Sequence, residues 1–324
     1  MQTQSKYHVA VFLTVAFGLG YVIWIVAYLL YNVFNVLSLT GFLLATVIPM
    51  LAPALGALAV KLLQQREAAR VGSHPEPSPG KTVPRPAIWT RLALAVRYST
   101  LGIATMAVVL LVSGVAGVGL LTRWLGKPID WSPFPSLLAA WCACLPVWIP
   151  LVLLEEVGWR RYLFNAWKER SFLLAGPILG LVWAIWHLPT FFFYGSFWFN
   201  LICYLLFVPA IHFLQAWTYL KGKSLVAPIL VHATYNAFAT ATGISGFMSS
   251  GRQPYQMSAS DMVTKGGSNL LFFIALLPFA FLLAREMKVS GLPRAGLTCD
   301  QLNGPTRPHC RSYDAGRTKG RLPN

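Results

Sequence analysis

Two adjacent glutamates, Glu155 and Glu156, and a following arginine, Arg160, lie in a segment that is otherwise apolar enough to cross a bilayer. Each ionised side chain near the centre of a membrane helix costs roughly 3 kcal/mol, so such groups mark candidate functional sites. Glu156 precedes Arg160 by four residues, the spacing and direction that favour an ion pair. Glu155 points about 100° away around the helix. We therefore predict that Arg160 neutralises Glu156 and that Glu155 is the reactive carboxylate.

Two more polar pairs occur at the same helical spacing, Trp183 with His187 and His232 with Asn236. Residues four apart share one face of a helix, so each pair can act together. A further histidine, His212, stands alone in an apolar run and is predicted to be a core residue. The two pairs belong to separate apolar runs and could complete one site from different helices.

Glu155 and His187 flank a polar turn near residues 168–171. An antiparallel helical hairpin with that turn would place both side chains roughly 20 to 24 Å from it, at 1.5 Å per residue. The two groups are therefore predicted to face each other at equal depth.

Hydrolysis is the chemistry that this set of residues suits. A buried carboxylate, Glu155, beside the His187 imidazole can deprotonate a water molecule that attacks a carbonyl carbon. His232 and Asn236 could then donate hydrogen bonds to the oxyanion. The residue types also permit a second arrangement, in which Glu155, His187 and His232 bind a zinc ion that activates the water. The cofactor, either none or a divalent metal such as zinc, stays open from the residues alone.

Composition indicates a membrane protein. The chain has 324 residues, of which 56% are hydrophobic and 11% charged, with a mean hydropathy of +0.57. Soluble domains carry about 25% charged residues, so a soluble fold is excluded. The net charge of +16 comes without the interleaved aromatic and basic residues of a nucleic-acid site, so no nucleic-acid partner is expected.

The apolar runs predict an all-α, polytopic helical bundle with about eight transmembrane helices. The predicted spans are residues 8–31, 37–60, 99–121, 136–157, 171–193, 198–219, 225–245 and 268–285. These spans divide the chain into four predicted regions. The first two transmembrane helices occupy 1–62, and a basic, proline-rich cytoplasmic loop occupies 63–98. A membrane core in 99–286 holds the motifs in 140–245, and a basic, disordered tail occupies 287–324.

The distribution of Lys and Arg predicts the orientation. With the N-terminus inside, only Arg123, Lys127, Arg252 and Lys265 of the 26 basic residues fall in outside loops. The positive-inside rule therefore predicts a multi-pass protein of the plasma membrane, if bacterial, with both termini in the cytoplasm.

The three motifs together resemble the CPBP or Abi family of intramembrane proteases, which includes the Rce1-like CAAX prenyl proteases. The matching residues are Glu155-Glu156-Val-Gly-Trp159-Arg160, Trp183-Ala-Ile-Trp-His187 and His232-Ala-Thr-Tyr-Asn236, within about a third of the chain. The order of all three motifs is specific. The family often has Phe at the position of Trp183, which changes the pocket without removing a catalytic atom.

The resemblance implies an endopeptidase in which Glu155 and His187 activate water, His232 and Asn236 stabilise the oxyanion, and Arg160 holds Glu156. It implies as partners the lipid bilayer and a peptide or membrane-protein substrate. The family has been described both as glutamate-type and as metalloproteases. A second hypothesis is a non-catalytic membrane protein of the same fold that acts in bacteriocin immunity or binds a peptide or partner.

Overall fold

A computed structural model of the protein describes residues 6–70, 88–124, 126, 132, 134–192, 197–242 and 259–289. Within these ranges the regular structure is helical, with no strands. The helices are α1 (Lys6–Tyr28), α2 (Leu39–Val47), α3 (Leu51–Arg70), α4 (Ile88–Trp124), α5 (Phe134–Glu156), α6 (Asn165–Lys168), α7 (Leu179–Trp186), α8 (Phe197–Gly222), α9 (Val226–Ala241), α10 (Ala259–Leu276) and α11 (Pro278–Val289). The predicted all-α fold is confirmed.

Six helical stretches of the described chain are long and apolar enough to cross a membrane. They are Lys6–Val33, Thr40–Arg70, Ile88–Ala116, Phe134–Lys168, Phe197–Gly222 and Gly267–Lys288. The chain is thus an integral, multi-pass membrane protein. The other two predicted spans, 171–193 and 225–245, correspond to shorter helices, Leu174–Trp186 and α9. These shorter helices carry the histidine motifs.

Helices α3 and α4 continue into the loop predicted for residues 63–98. The segment 61–70 is rich in Lys, Leu, Gln, Arg, Glu and Ala, all of which favour helix, so α3 extends past its apolar part to Arg70. Helix α4 likewise begins at Ile88. The proline-rich part of that loop, 71–87, and the predicted tail beyond residue 289 lie outside the described residues.

A helical hairpin forms the centre of the fold, as the spacing of the motifs predicts. Its first arm is α5, continued by a π-helical segment, Val157–Phe164, and by α6. Its second arm is another π-helical segment, Leu174–Ile178, continued by α7. Helix α9, which carries the third motif, packs against α5, and α8 packs against α7 and α9, so both α8 and α9 border the hairpin.

Two glycines let this hairpin approach its neighbours closely. A Cβ atom at Gly158 would lie 2.6 Å from the carbonyl oxygen of Pro53 in α3. One at Gly180 would lie 2.7 Å from the Cα atom of Pro209 in α8. Real Cβ contacts essentially never fall below 3.0 Å, so each position requires glycine to keep its helix at this distance.

Candidate active site

Glu155 and Glu156 are the last two residues of α5, where the helix changes to the π-helical segment Val157–Phe164. π-helical turns inside α-helices occur frequently at functional sites. Glu155 is 2% exposed, and both Glu156 and Arg160 are 0% exposed. Two carboxylates and a guanidinium group are therefore buried together inside the bundle.

One oxygen of Glu156, Oε1, takes part in an ion pair and accepts two hydrogen bonds. The Nη1 atom of Arg160 lies 3.1 Å from it, in the ion pair predicted from the sequence. Nδ1 of His232 donates over 2.9 Å and Nε2 of Gln215 over 3.3 Å. The other oxygen, Oε2, is buried and has no hydrogen-bond partner in the described structure. Glu156 thus joins the hairpin to α9 and α8.

Gln215 completes the surroundings of Arg160 and was not foreseen from the sequence. Its Oε1 atom accepts a hydrogen bond from Nη2 of Arg160, and its side chain is fully buried in α8. The guanidinium carbon of Arg160 also lies over the Trp183 ring, 4.1 Å from the ring centroid, a cation–π contact. In the sequence, the only sign of this role is that Gln215 is an uncharged polar residue within an apolar span.

Glu155 has a different environment from its neighbour. Its Oε2 atom accepts a hydrogen bond of 3.0 Å from the indole Nε1 of Trp183. No second hydrogen bond to this carboxylate comes from the part of the chain that the structure describes. Each glutamate thus has one oxygen without a hydrogen bond in the described structure, but Glu156 is fully buried and paired with Arg160, whereas Glu155 is slightly exposed. Glu155 is therefore the better placed of the two to meet a water molecule.

His187 is the residue at which α7 ends. Its Nδ1 atom lies 2.9 Å from the carbonyl oxygen of Trp183. A carbonyl only accepts, so Nδ1 carries the proton and the neutral ring presents the lone pair of Nε2. The ring also packs edge-on against Trp186, with centroids 4.9 Å apart, and beside Tyr204. These contacts fix both the tautomer and the orientation of the imidazole.

His232 and Asn236 share one face of α9. Nδ1–H of His232 is engaged by Glu156, so Nε2 can donate to a developing oxyanion only when both ring nitrogens carry protons. The Asn236 side chain is half-buried and makes no hydrogen bond within the described ranges. Its amide is therefore available to a ligand.

Trp183 is the residue that connects the three motifs. It donates to Glu155, accepts from His187 through its carbonyl, stacks on Arg160, and meets the His232 ring edge-on at 5.1 Å between centroids. Glu155 and His187 do not hydrogen-bond each other directly in the described structure; Trp183 links them instead. All four residues of the predicted reactive set lie on elements that meet here.

A metal ion does not fit the described arrangement as a three-ligand site. Among the residues that the structure describes, no group of three His, Cys, Asp or Glu side chains is placed to hold one. We therefore derive no step through zinc.

His212, predicted to be a core residue, is fully buried. Its Nε2 atom donates to the carbonyl oxygen of Ala175 over 2.8 Å, and its ring packs against Phe164. The histidine thus ties α8 to the second arm of the hairpin.

Residues 135–238, which include every motif residue, match the family described as type II CAAX prenyl endopeptidase, Rce1-like. The predicted family resemblance is confirmed. A stretch of 93 residues is 33% identical to CAAX prenyl protease 2 of Methanococcus maripaludis, covering 25% of this chain and 34% of that protein. The chain thus matches about a third of the relative's length. The Rce1-like segment coincides with the site built from the contacts above.

Proposed function

We propose that the protein is an intramembrane endopeptidase of the CAAX-protease type, which hydrolyses a peptide bond with a water molecule activated by Glu155 and His187. The observation that carries the proposal is the junction at Trp183, which holds both groups through two hydrogen bonds. The match of residues 135–238 to the Rce1-like family supports the same chemistry.

The first step assigns the base. Glu155 has an oxygen without a protein hydrogen bond in the described structure and is slightly exposed, whereas Glu156 is fully buried, pairs with Arg160 and accepts two hydrogen bonds on Oε1. Glu155 would take a proton from water, and the hydroxide would attack the scissile carbonyl carbon. His187 would accept a hydrogen bond from that water at Nε2, because its Nδ1–H is fixed by the Trp183 carbonyl.

The second step assigns the stabilising donors. The half-buried Asn236 amide would donate to the tetrahedral oxyanion, together with Nε2–H of a doubly protonated His232. Glu156 supports that protonated form by accepting from Nδ1. The proton held by Glu155 would then pass to the leaving amine as the C–N bond breaks. Two new ends of a peptide result, and the carboxylate is regenerated.

The substrate we propose is a peptide or a segment of another membrane protein. Most of the basic residues fall on one predicted side, which supports cytoplasmic termini under the positive-inside rule. We propose that the site opens to that same side, because the polar turn of the hairpin lies there.

The proposal is tested by quantitative proteomics of peptide termini in membranes that contain the wild type, Glu155→Gln or His187→Ala. We expect new termini with the wild type that disappear in both variants while insertion and abundance stay equal. A parallel sample with a chelator tests the metal-dependent alternative, because loss of the termini would then require a bound cation.

Equal sets of termini for the wild type and both variants, at equal abundance, would contradict proteolysis. The non-catalytic hypothesis, in which the same fold binds a peptide or partner, would then take its place. Retained cleavage in Glu155→Gln alone would contradict the assignment of the base but not the protease.

A further inference from the structure

The Trp183 side chain contacts Glu155, Arg160 and His232, yet it takes no part in the proposed reaction. Its indole N–H donates to Oε2 of Glu155 over 3.0 Å. Its ring face lies under the Arg160 guanidinium, and its edge meets the His232 ring. The side chain is 2% exposed, so none of these contacts competes with bulk water.

Fixing one carboxylate oxygen determines where the other one points. A carboxylate that is free to rotate about its last side-chain bond presents its lone pairs to many directions, because that rotation has a broad minimum. One directional N–H bond to Oε2 removes this freedom and leaves Oε1 in a single orientation. Catalytic groups that lose their alignment by about 1 Å can lose roughly a hundredfold in rate.

The remaining charged and titratable groups near Glu155 do not provide this constraint. Glu156 and Arg160 bond each other, and His232 bonds Glu156. Tyr204, on α8, contacts the His187 ring and makes no hydrogen bond to Glu155. Within the described part of the chain, the hydrogen-bond donor to Glu155 is thus the indole N–H of Trp183.

We propose that Trp183 is a positioning residue, whose indole N–H holds the Glu155 carboxylate in the orientation that activates water. This role rests on the proposed function, since it acts through Glu155. Phenylalanine, which the family resemblance leads one to expect here, has a similar ring but no N–H donor. The chain therefore carries a constraint on its base that a phenylalanine could not supply.

The test compares Trp183→Phe with Trp141→Phe. Trp141 is also buried and also donates one indole hydrogen bond, of 2.9 Å, but to the carbonyl oxygen of Thr234. We expect kcat to fall roughly tenfold to a hundredfold in Trp183→Phe, the range for a lost hydrogen bond to a charged group. KM should stay within about twofold, because the lost contact aligns the base rather than the substrate. Trp141→Phe should change the melting temperature similarly but leave kcat near the wild-type value.

Infrared difference spectra of protein labelled with ¹³C-glutamate give a readout that structural damage alone would not produce. The band of Glu155 is the one that disappears in Glu155→Gln. We expect this band to shift in frequency in Trp183→Phe and not in Trp141→Phe. Should Trp183→Phe fail to fold, a protein with 3-benzothienylalanine at position 183 keeps the ring shape and removes only the N–H.

The outcomes separate the two proposals. A wild type that cleaves nothing, like Glu155→Gln, overturns the proposed function and with it the role of Trp183. An active wild type with an unchanged kcat and an unchanged Glu155 band in Trp183→Phe overturns the positioning role alone. A lower kcat with a shifted band supports it.

Discussion

The Nδ1 atom of His232 lies 2.9 Å from Oε1 of Glu156, and Arg160 lies 3.1 Å from the same oxygen. One buried carboxylate therefore holds a histidine from α9 and an arginine from its own helix. The first and third motifs are joined at this atom, and Trp183 joins both to the second. The glutamate that we do not assign as the base thus supports the rest of the site.

Replacing Glu156 with glutamine should destabilise the protein strongly. The variant keeps the size of the side chain and can still accept from His232, but it removes the ion-pair partner of the buried Arg160. Removing one partner of a buried pair costs roughly 3 to 5 kcal/mol. Thermal unfolding in detergent measures this loss. Glu67→Gln, which breaks the half-exposed pair with His8, should cost less than about 1 kcal/mol. Equal effects would contradict the prediction.

Asn236→Ala should lower the rate without lowering the stability. The Asn236 side chain makes no hydrogen bond in the described structure, whereas loss of an oxyanion donor costs roughly a hundredfold to a thousandfold in kcat. Asn165→Ala provides the opposite case, because Asn165 donates to the Arg161 carbonyl and to the Tyr219 hydroxyl. We expect it to lower the melting temperature and spare kcat. Both quantities are measured on the same purified samples.

Gln215→Leu should weaken the buried ion pair from the side of α8. The variant removes the acceptor for Arg160 and a donor to Glu156, and each unpaired buried group costs roughly 1 to 3 kcal/mol. Thr218→Val on the same helix removes a hydroxyl that, among the described residues, bonds only the carbonyl of Gln215, and we expect a loss of less than about 1 kcal/mol there. Chemical unfolding in micelles compares the two, and a ranking of the opposite order would refute the role of Gln215.

Gly158→Ala should displace α3 from the hairpin. The added methyl group would lie 2.6 Å from the Pro53 carbonyl oxygen, and overpacking of this kind costs roughly 1 to 3 kcal/mol or more. Activity should fall as well, because Gly158 is two residues from Glu156. Gly18→Ala is the control, since nothing lies within 4 Å of a Cβ atom there. Its melting temperature should equal or exceed that of the wild type, because alanine favours helix over glycine.

Most of the framework follows from the sequence because apolar runs and four-residue spacings are local properties. The hairpin, the ion pair of Glu156 with Arg160 and the shared face of His232 and Asn236 all depend on residues close in the chain. The free-energy cost of placing ionised side chains in an apolar helix is also informative, because it marks Glu155, Glu156 and Arg160 as candidate functional residues. The roles assigned to these side chains remain predictions.

The contacts of Gln215 and Trp183 could not be predicted in the same way. Gln215 meets Arg160 across 55 positions of the chain, and Trp183 meets Glu155 across 28. Such pairings depend on how separate helices pack. The end of α7 at Trp186, before the end of the predicted span 171–193, could be predicted from local sequence. His187 is followed by Leu188 and Pro189, and helices usually end before proline.

The helices that carry His187 and His232 are shorter than the hydrocarbon layer is thick. Thirteen residues from Leu174 to Trp186 extend roughly 20 Å, and the sixteen of α9 roughly 24 Å, against about 30 Å of lipid chains. Such a hydrophobic mismatch is relieved when the surrounding bilayer thins. A bilayer that thins around these two helices would shorten the path of water from the headgroup region to the site.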